Sequence, residues 1–300
     1  MSMRLVRAGG NLLLGSYGLL ANCVVFRSLD GCTKLTYFTK SLMKLQCAAN
    51  AVGLLPLTLY APAAFALSRD LLQQHVMPML LVGSLFGGSI NLQFGLQVIM
   101  AFNRLAAFRW PQRAKLWFTQ RNVIIILCGV IGYGTFWALQ SLIPGRGFYY
   151  NSTMGQWNSA TVQTSITQLI HVALIFTMFG CGLSLHLATL ASLEKLRKQV
   201  TDKAISAARF KSEVRVAVQF MIITVIYILY IGSIRAIQHT SLTGQTISCI
   251  NEVTRYCFCF IEPTLYVIFL KELRSVVRKE LAGVKCAKKV GSNSNAAQAK

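Results

Sequence analysis

The chain has 300 residues, of which 54% are hydrophobic and only 13% are charged, and its mean hydropathy is +0.51. A soluble domain usually carries about 25% charged residues, so this composition excludes an ordinary soluble protein and indicates a lipid environment. The net charge of +21 falls in short clusters between apolar runs, a pattern that favours a membrane protein over a nucleic-acid-binding one.

Apolar stretches of about 20 residues, the length needed to cross a bilayer, recur along the chain. Seven spans are predicted, at about 9–26, 45–67, 79–102, 123–142, 166–190, 216–234 and 247–270. The first stretch could instead be a signal peptide, but no small-residue cleavage pattern follows it. No Pro/Ser-rich linker divides the spans, so residues 1–285 are predicted to form one all-α domain, a bundle of seven transmembrane helices.

A short amphipathic helix is predicted directly after the seventh span, at about 271–282. Its apolar residues recur at helical spacing and form one stripe beside a basic face: Leu273, Val276, Val277 and Leu281. This pattern predicts a helix that lies on the inner leaflet. Cys286 follows it and could be acylated or remain an unmodified thiol. Residues 286–300 are predicted to be a disordered cytoplasmic tail.

Lys and Arg are distributed unevenly between the two predicted sides of the membrane. Most of the 30 lie in the first, third and fifth connections and in the tail. By the positive-inside rule, this asymmetry predicts a multi-pass plasma-membrane protein with its N-terminus outside and its C-terminus in the cytoplasm. Asn151 begins an Asn-Ser-Thr sequon on the predicted outer side, so it is a predicted glycosylation site.

Four motifs appear in order on the predicted spans. They are Asn22-Cys23-Val24-Val25 in the first span, Asn50 in the second, Asn103-Arg104 with Pro111 at the end of the third, and Glu262-Pro263-Thr264-Leu265-Tyr266 in the seventh. Together these motifs resemble those of the rhodopsin-like G-protein-coupled receptor superfamily. The asparagine before Arg104, with Trp117 downstream, is most similar to the nematode serpentine chemoreceptors of the Srg/Srv/Srx type.

The resemblance implies a chemosensory receptor that passes a signal from an extracellular small-molecule or peptide ligand to a heterotrimeric G protein. The residues that it implies in activation and coupling are Asn103, Arg104, Glu213, Pro263 and Tyr266. In the superfamily an acid holds this arginine in the resting receptor. Because Asn103 cannot form an ion pair, we hypothesise that Glu213, at the start of the sixth span, holds Arg104 instead.

The chain departs from the superfamily in one structural respect. The superfamily usually joins its third span to the second outer connection by a disulfide. Here no cysteine lies near Met79 and none lies between Gly145 and Ser165. Both partners are therefore missing, and the outer connection must be held in another way.

Polar side chains at membrane depth are costly, so they mark functional or structural sites. A central cluster is predicted from Asn22, Asn50, Gln93 and Glu262, with the carboxylate moved from the superfamily's second span to the seventh. The cluster could act as a switch or only as structure. Candidate ligand-pocket residues are Asn91, Gln168, His171, Tyr227, Tyr230, Asn251, Glu252, Arg255 and Tyr256, although Glu252 and Arg255 could simply pair with each other.

The sequence shows no nucleophile and base constellation, no phosphate-binding loop and no metal-binding pattern, so neither enzymatic activity, a metal nor a cofactor is predicted. The alternative to a receptor is a membrane transporter or channel. Internal repeats or charges on several spans would favour that class, but no repeat is evident and the deep charges are confined to the seventh span. Glycines at 87–88 and 129–134 predict close packing of the third and fourth spans.

Overall fold

In a computed structural model, the parts of the chain that the structure describes are 2–33, 35–66, 76–143, 148–151, 156–159, 166–199, 214, 218–219, 221–226, 228–229, 259–280 and 282. Most of these residues are helical. The helices are α1 (Ser2–Ser28), α2 (Tyr37–Leu55), a π-helical turn (Pro56–Tyr60), α3 (Ala61–Ala66), α4 (Val76–Arg109), α5 (Pro111–Trp117), α6 (Gln120–Ser141), α7 (Ile166–Gln199), α8 (Cys259–Phe269) and α9 (271–280). The described residues between 214 and 229 are also helical.

Five helical segments of the described chain are long and apolar enough to cross a membrane. They are Leu5–Ser28, Tyr37–Phe65, Met79–Arg109, Gln120–Ser141 and Ala173–Lys195. These segments overlap the first five predicted spans. The helix of the third span continues to Arg109, about two turns beyond the predicted end, because no helix-breaking residue precedes Pro111.

Local sequence signals account for several helix boundaries. Thr36 is the N-cap of α2, and its side chain accepts a hydrogen bond from the backbone N–H of Thr39. Thr119 caps α6 in the same way, and Pro111 occupies the first turn of α5, where no backbone donor is needed. Pro56 cannot donate to the helix ladder, and the backbone passes it in a π-helical turn before α3 continues the span.

The helix α4 occupies the centre of the bundle and packs against α2, α6 and α7. Its buried polar residues line it along its length: Ser84, Ser89, Asn91, Gln93, Gln97 and Asn103. In contrast, α6 exposes large apolar side chains such as Ile125, Phe136 and Leu139 on its outer surface, as expected of a helix that faces lipid. Polar groups therefore lie where other helices can satisfy them.

A close helix contact lies between α4 and α6 at Gly88 and Gly134. A Cβ atom added to Gly134 would lie 2.8 Å from Cβ of Leu92, and one added to Gly88 would lie 2.7 Å from Cβ of Ala138. The predicted close packing is therefore found at these two glycines. It is wrong for Gly129 and Gly132, which have no atom within 4 Å of an added Cβ because they face away from α4.

Two short strands interrupt the otherwise helical described chain, and sequence analysis did not predict them. Strands β1 (Phe148–Asn151) and β2 (Gln156–Ser159) pair antiparallel, with Phe148 opposite Ser159 and Asn151 opposite Gln156. Strand β1 packs against α4. The hairpin satisfies backbone groups of the connection that has no disulfide, and it places the backbone of Asn151 at its turn; the Asn151 side chain lies outside the described part.

We expect Gly134→Ala to destabilise the bundle, because the added methyl group meets Leu92 and the backbone of α4. Overpacking of this kind costs about 1–3 kcal/mol. Gly132→Ala is the matched control on the same helix, and it should be neutral or stabilising by up to about 1 kcal/mol because alanine favours the helix. The midpoint of thermal unfolding of the purified protein in detergent measures both effects. Equal midpoints for the two variants would contradict the close α4–α6 contact.

Candidate functional site

A buried carboxylate lies where three helices meet. Glu262 of α8 is fully buried, and its Oε2 accepts hydrogen bonds from Nε2 of Gln46 at 2.6 Å and from Nδ2 of Asn50 at 2.9 Å. Its Oε1 accepts a hydrogen bond from Nε2 of Gln97 on α4. The donors come from two helices other than its own, so one side chain of α8 connects α2, α4 and α8.

The three amide donors compensate for the hydration that Glu262 loses on burial. A carboxylate accepting several N–H bonds is stabilised in its charged form, whereas burial alone favours the neutral form. Gln46 and Asn50 are four residues apart on α2, so they lie on the same helix face and can both reach one oxygen. The arrangement is therefore a cradle of amide donors around a single acid, which we call the Glu262 cradle: Gln46, Asn50, Gln97 and Glu262.

The structure brings some of the four predicted cluster residues into contact with each other but not all of them. It brings Asn50 and Glu262 into direct contact. Gln93 lies one turn along α4 from Gln97, and its Nε2 is 3.7 Å from the position of a Cβ added to Gly53 on α2. Sequence analysis did not identify Gln46 or Gln97. The signal for both was available, because each is four residues from a predicted cluster member, Asn50 or Gln93.

Asn22 has a backbone partner in α8. Its Nδ2 donates to the carbonyl oxygen of Cys259 at 3.0 Å and to that of Gly18 at 2.8 Å. In a regular helix the carbonyl of Cys259 would accept from the N–H of the residue four positions later, but that residue is Pro263. The Asn22 amide therefore supplies the donor that the proline lacks, and it joins α1 to α8 beside the cradle.

Tyr266 lies one turn after Glu262 on α8 and is fully buried. Its hydroxyl is 3.9 Å from the sulfur of Met100 on α4. Pro263, also buried, precedes it on the same helix. These two residues of the seventh-span motif thus lie between the Glu262 cradle and the end of the bundle that carries Arg104.

That end of the bundle, which we call the basic end, contains the connection 29–36, the connection around α5, and α9. Asn103 is buried there, and its Nδ2 donates to Oγ1 of Thr39 in the first turn of α2 at 3.1 Å. Arg104 is half-buried and lies close enough to His186 of α7 and to Tyr266 of α8 to influence both electrostatically. Glu213, its hypothesised partner, lies outside the described residues.

Aromatic contacts hold α5 against the bundle at the basic end. Phe118 stacks on Phe38 of α2 with ring centroids 4.5 Å apart, and Trp117 stacks on Phe102 of α4 at 6.1 Å. Trp110 meets Trp117 edge-on at 5.9 Å. The connection between the third and fourth spans is therefore packed against α2 and α4 through these aromatic rings.

Two acids of α9 hold it against the end of α1 and the connection 29–36. Oε1 of Glu272 accepts from the backbone N–H and from the hydroxyl of Thr33, at 2.7 and 2.8 Å. Oε2 of Glu280 accepts from the hydroxyl of Ser28 at 2.7 Å. These three hydrogen bonds fix both ends of α9.

The apolar stripe of α9 packs on protein. Leu273 and Val277 are buried, and a Cβ added to Gly31 would lie 2.8 Å from Cγ1 of Val276. These contacts show that this part of the stripe packs on protein; that the helix as a whole lies on the inner leaflet stays a prediction. The fourth stripe residue, Leu281, lies outside the described residues.

Most of the predicted ligand-pocket residues cannot be placed. Asn91 is buried on α4, and its Nδ2 donates to the carbonyl of Gly87 at 2.9 Å. The backbones of Gln168 and His171 belong to α7, but their side chains are outside the described part. The remaining candidates and the acylation candidate also lie outside it: Tyr227, Tyr230, Asn251, Glu252, Arg255, Tyr256 and Cys286.

Comparison with known proteins gives a family and a fold. The model of the family described as "Serpentine type 7TM GPCR chemoreceptor Srx" matches residues 12–262. The crystal structure of squid rhodopsin is similar with a TM-score of 0.77 at 12% sequence identity, and the match covers 94% of this chain and 86% of that one. None of the curated proteins matches. The rhodopsin likeness confirms the predicted all-α fold of seven transmembrane helices with a short helix after the last.

We expect the positions of the acid and the amide in the Glu262 cradle to be exchangeable. Asn50→Asp alone would place two carboxylates within hydrogen-bond distance, and their repulsion should lower surface expression and stability. Glu262→Gln alone leaves buried donors without acceptors, at a cost of about 1–3 kcal/mol. The double variant Asn50→Asp/Glu262→Gln restores one acid and one amide, so its unfolding midpoint should exceed that of either single variant. Additive losses in the double variant would contradict direct contact.

We expect Cys32 to be unreactive while α9 is docked. Burial, and secondarily the nearby Glu272 carboxylate, raises the pKa of the Cys32 thiol to about 11, so the thiol stays protonated at neutral pH. Glu272→Ala breaks the contact with Thr33 and should speed Cys32 alkylation about tenfold for each pKa unit regained. Site-resolved mass spectrometry of alkylated peptides measures this rate. Lys279→Ala, on the open face of α9, is the control; equal rates in both variants would contradict the docking.

Proposed function

Because this chain belongs to the Srx family of serpentine chemoreceptors, we propose that it passes the signal of an extracellular small molecule to a heterotrimeric G protein through its basic end. Membership makes it a chemosensory G-protein-coupled receptor that crosses the plasma membrane several times. The family is one of receptors, and nothing supports the transporter or channel alternative or an enzymatic activity.

The proposed orientation places the hairpin β1–β2 outside and the basic end in the cytoplasm. Charge supports it, because Lys and Arg are concentrated in α5 and α9 at the basic end, and basic segments next to spans stay in the cytoplasm. The sequon at Asn151 lies at the opposite end, where glycosylation would take place. The ligand would then enter from the hairpin side, towards the pocket candidates Asn91, Gln168, His171, Tyr227, Tyr230, Asn251, Glu252, Arg255 and Tyr256.

The observation that carries the proposed coupling is the position of Arg104. This arginine lies at the basic end, close enough to His186 of α7 and to Tyr266 of α8 to influence both electrostatically. A relative movement of α7 or α8 would change its surroundings directly. Asn103, in the same turn of α4, is hydrogen-bonded to Thr39 of α2. This turn of α4 would therefore keep its position relative to α2 while α7 or α8 moves.

The proposed signal runs along α8 from the Glu262 cradle to Tyr266. Hydrogen bonds at the cradle favour one position of α8 relative to α2 and α4, and Tyr266 follows one turn later on the same helix. A ligand that binds a different position of α8 more tightly would shift the population towards that conformer. If the G protein prefers the same conformer, ligand and G protein are coupled by the difference in binding free energy.

We expect ligand-independent nucleotide exchange on G proteins in membranes that contain this receptor, and we expect Arg104→Ala to abolish it. The arginine supplies the cation that the G protein contacts in the proposed coupled state. Arg121→Ala removes an exposed cation at the same end and serves as the control with matched surface level. Exchange that is equal in the Arg104 variant and the control would contradict coupling through Arg104.

The hypothesised contact between Glu213 and Arg104 belongs to the same experiment. If Glu213 holds the arginine at rest, Glu213→Ala should raise basal nucleotide exchange, because it frees Arg104 for the G protein. Unchanged basal exchange in this variant would show that the hypothesis is wrong, while leaving the role of Arg104 itself standing.

A further inference from the structure

The sixth span buries a glutamine whose amide is not hydrogen-bonded. Gln219 is fully buried, and in the described part of the chain neither its Nε2 nor its Oε1 has a hydrogen-bond partner. Ile223, one turn later on the same face, belongs to the apolar core. A buried amide without partners has lost its hydration and gained nothing in exchange, so Gln219 disfavours the conformer in which it is found.

Contacts between helices give the depth of Gln219 in the bundle. Phe94 of α4 meets Phe179 of α7 edge-on with ring centroids 5.1 Å apart, so these two residues are level. Three residues later on α7, a Cβ atom added to Gly182 would lie 4.0 Å from Cγ2 of Thr224 on the sixth span. Consecutive spans run in opposite directions, so Gln219, five residues before Thr224, lies about 7.5 Å nearer the basic end.

This depth is close to that of Tyr266 on α8. The third and fifth spans run in the same direction, so three and then five residues counted along α4 from Phe94 lead to Phe102 as the level of Gln219. Met100 precedes that level by two residues, about 3 Å of helix, and its sulfur is 3.9 Å from the hydroxyl of Tyr266. The length of a glutamine side chain spans such a difference.

The Gln219 side chain is turned towards the interior and not towards α7. Residues five positions apart on an α-helix differ in direction by about 140°, and Thr224 is the one that faces α7. Because Gln219 is nevertheless fully buried, it faces the interior, where the fully buried Tyr266 also lies. An amide and a phenol hydroxyl can each donate and accept a hydrogen bond, whereas the thioether of Met100 is only a weak acceptor.

We propose that Gln219 sets the basal activity of this receptor, because its amide has no partner in the described conformer and pairs with the Tyr266 hydroxyl in the signalling conformer. This inference rests on the proposed function, in which the Glu262 cradle holds the described conformer at rest. A hydrogen bond that exists in only one of two conformers shifts the population towards that conformer. For one buried amide the shift is about tenfold.

The inference predicts a sign that a purely structural glutamine would not give. A buried amide that holds the resting receptor together stabilises it, and its removal would lower the midpoint of thermal unfolding. A buried amide that finds its partner only after a movement destabilises the resting receptor, and its removal raises that midpoint. Its removal also lowers basal signalling, because the signalling conformer loses a hydrogen bond.

The first measurement compares Gln219→Met in the full-length receptor with the same substitution at Gln97. Methionine is unbranched like glutamine and has no strong donor or acceptor. Gln219→Met should raise the unfolding midpoint in detergent, whereas Gln97→Met should lower it because Nε2 of Gln97 donates to Glu262. A lowered midpoint in Gln219→Met would overturn the proposal, since the amide would then have a partner at rest.

The second measurement is ligand-independent nucleotide exchange at matched surface level. Gln219→Met should lower exchange about tenfold, and Tyr266→Phe, which removes only the hydroxyl, should lower it by a similar factor. The double variant should fall no further, because both changes remove the same hydrogen bond. Losses that multiply in the double variant, or unchanged exchange in Gln219→Met, would overturn the proposal.

Thr189→Val is the control for both measurements. Thr189 is also fully buried, but its hydroxyl donates to the carbonyl of Leu185 on its own helix at 2.8 Å, so a movement between helices does not change this bond. Exchange should be unchanged in this variant, and a tenfold loss there would assign the effect of Gln219→Met to buried polar groups in general. Unfolding is measured without a G protein, so failure of this inference and failure of the proposed coupling are distinguishable.

Discussion

The hydrogen bonds to the Glu262 carboxylate are the constraint on which the arrangement of three helices depends. A buried acid cannot be left without partners in a lipid environment, so α2 and α4 must present amide donors at the same depth. Gln46 and Asn50 do so from α2, and Gln97 does so from α4. The hydrogen bonds to Glu262 therefore fix the position of α8 relative to α2 and α4. Lipid is as apolar as the helix surfaces, so the hydrophobic effect does not drive one helix to pack on another.

Pro263 adds a second requirement at the same place. It leaves the carbonyl of Cys259 without its helical donor, and Asn22 fills that position from α1. One turn of α8 therefore contains both a buried carboxylate and a carbonyl without a helical donor, and side chains of α1, α2 and α4 donate hydrogen bonds to them. The seventh-span motif organises the bundle because Glu262 and Pro263 leave buried hydrogen-bond acceptors whose donors come from neighbouring helices.

Sequence analysis could predict what depends on composition and periodicity, namely the all-α seven-helix bundle. It brought Asn50 and Glu262 together on the strength of the motifs, and the i, i+4 spacing would have added Gln46 and Gln97. It could not predict the hairpin β1–β2, because four-residue strands depend on pairing rather than on local propensity. For α9 the pattern shows which face is apolar, but it does not show that Leu273 and Val277 are buried or that Val276 lies against Gly31.

The hairpin β1–β2 has a consequence for the redox chemistry of this receptor. Its connection is held by backbone pairing and by packing on α4, and it contains no cysteine. Thiol reductants, which open the outer connection of a disulfide-bonded receptor, have no bond to cleave here. The pairing of this hairpin therefore does not depend on the reduction potential of its surroundings, and forming it needs no oxidant at this connection.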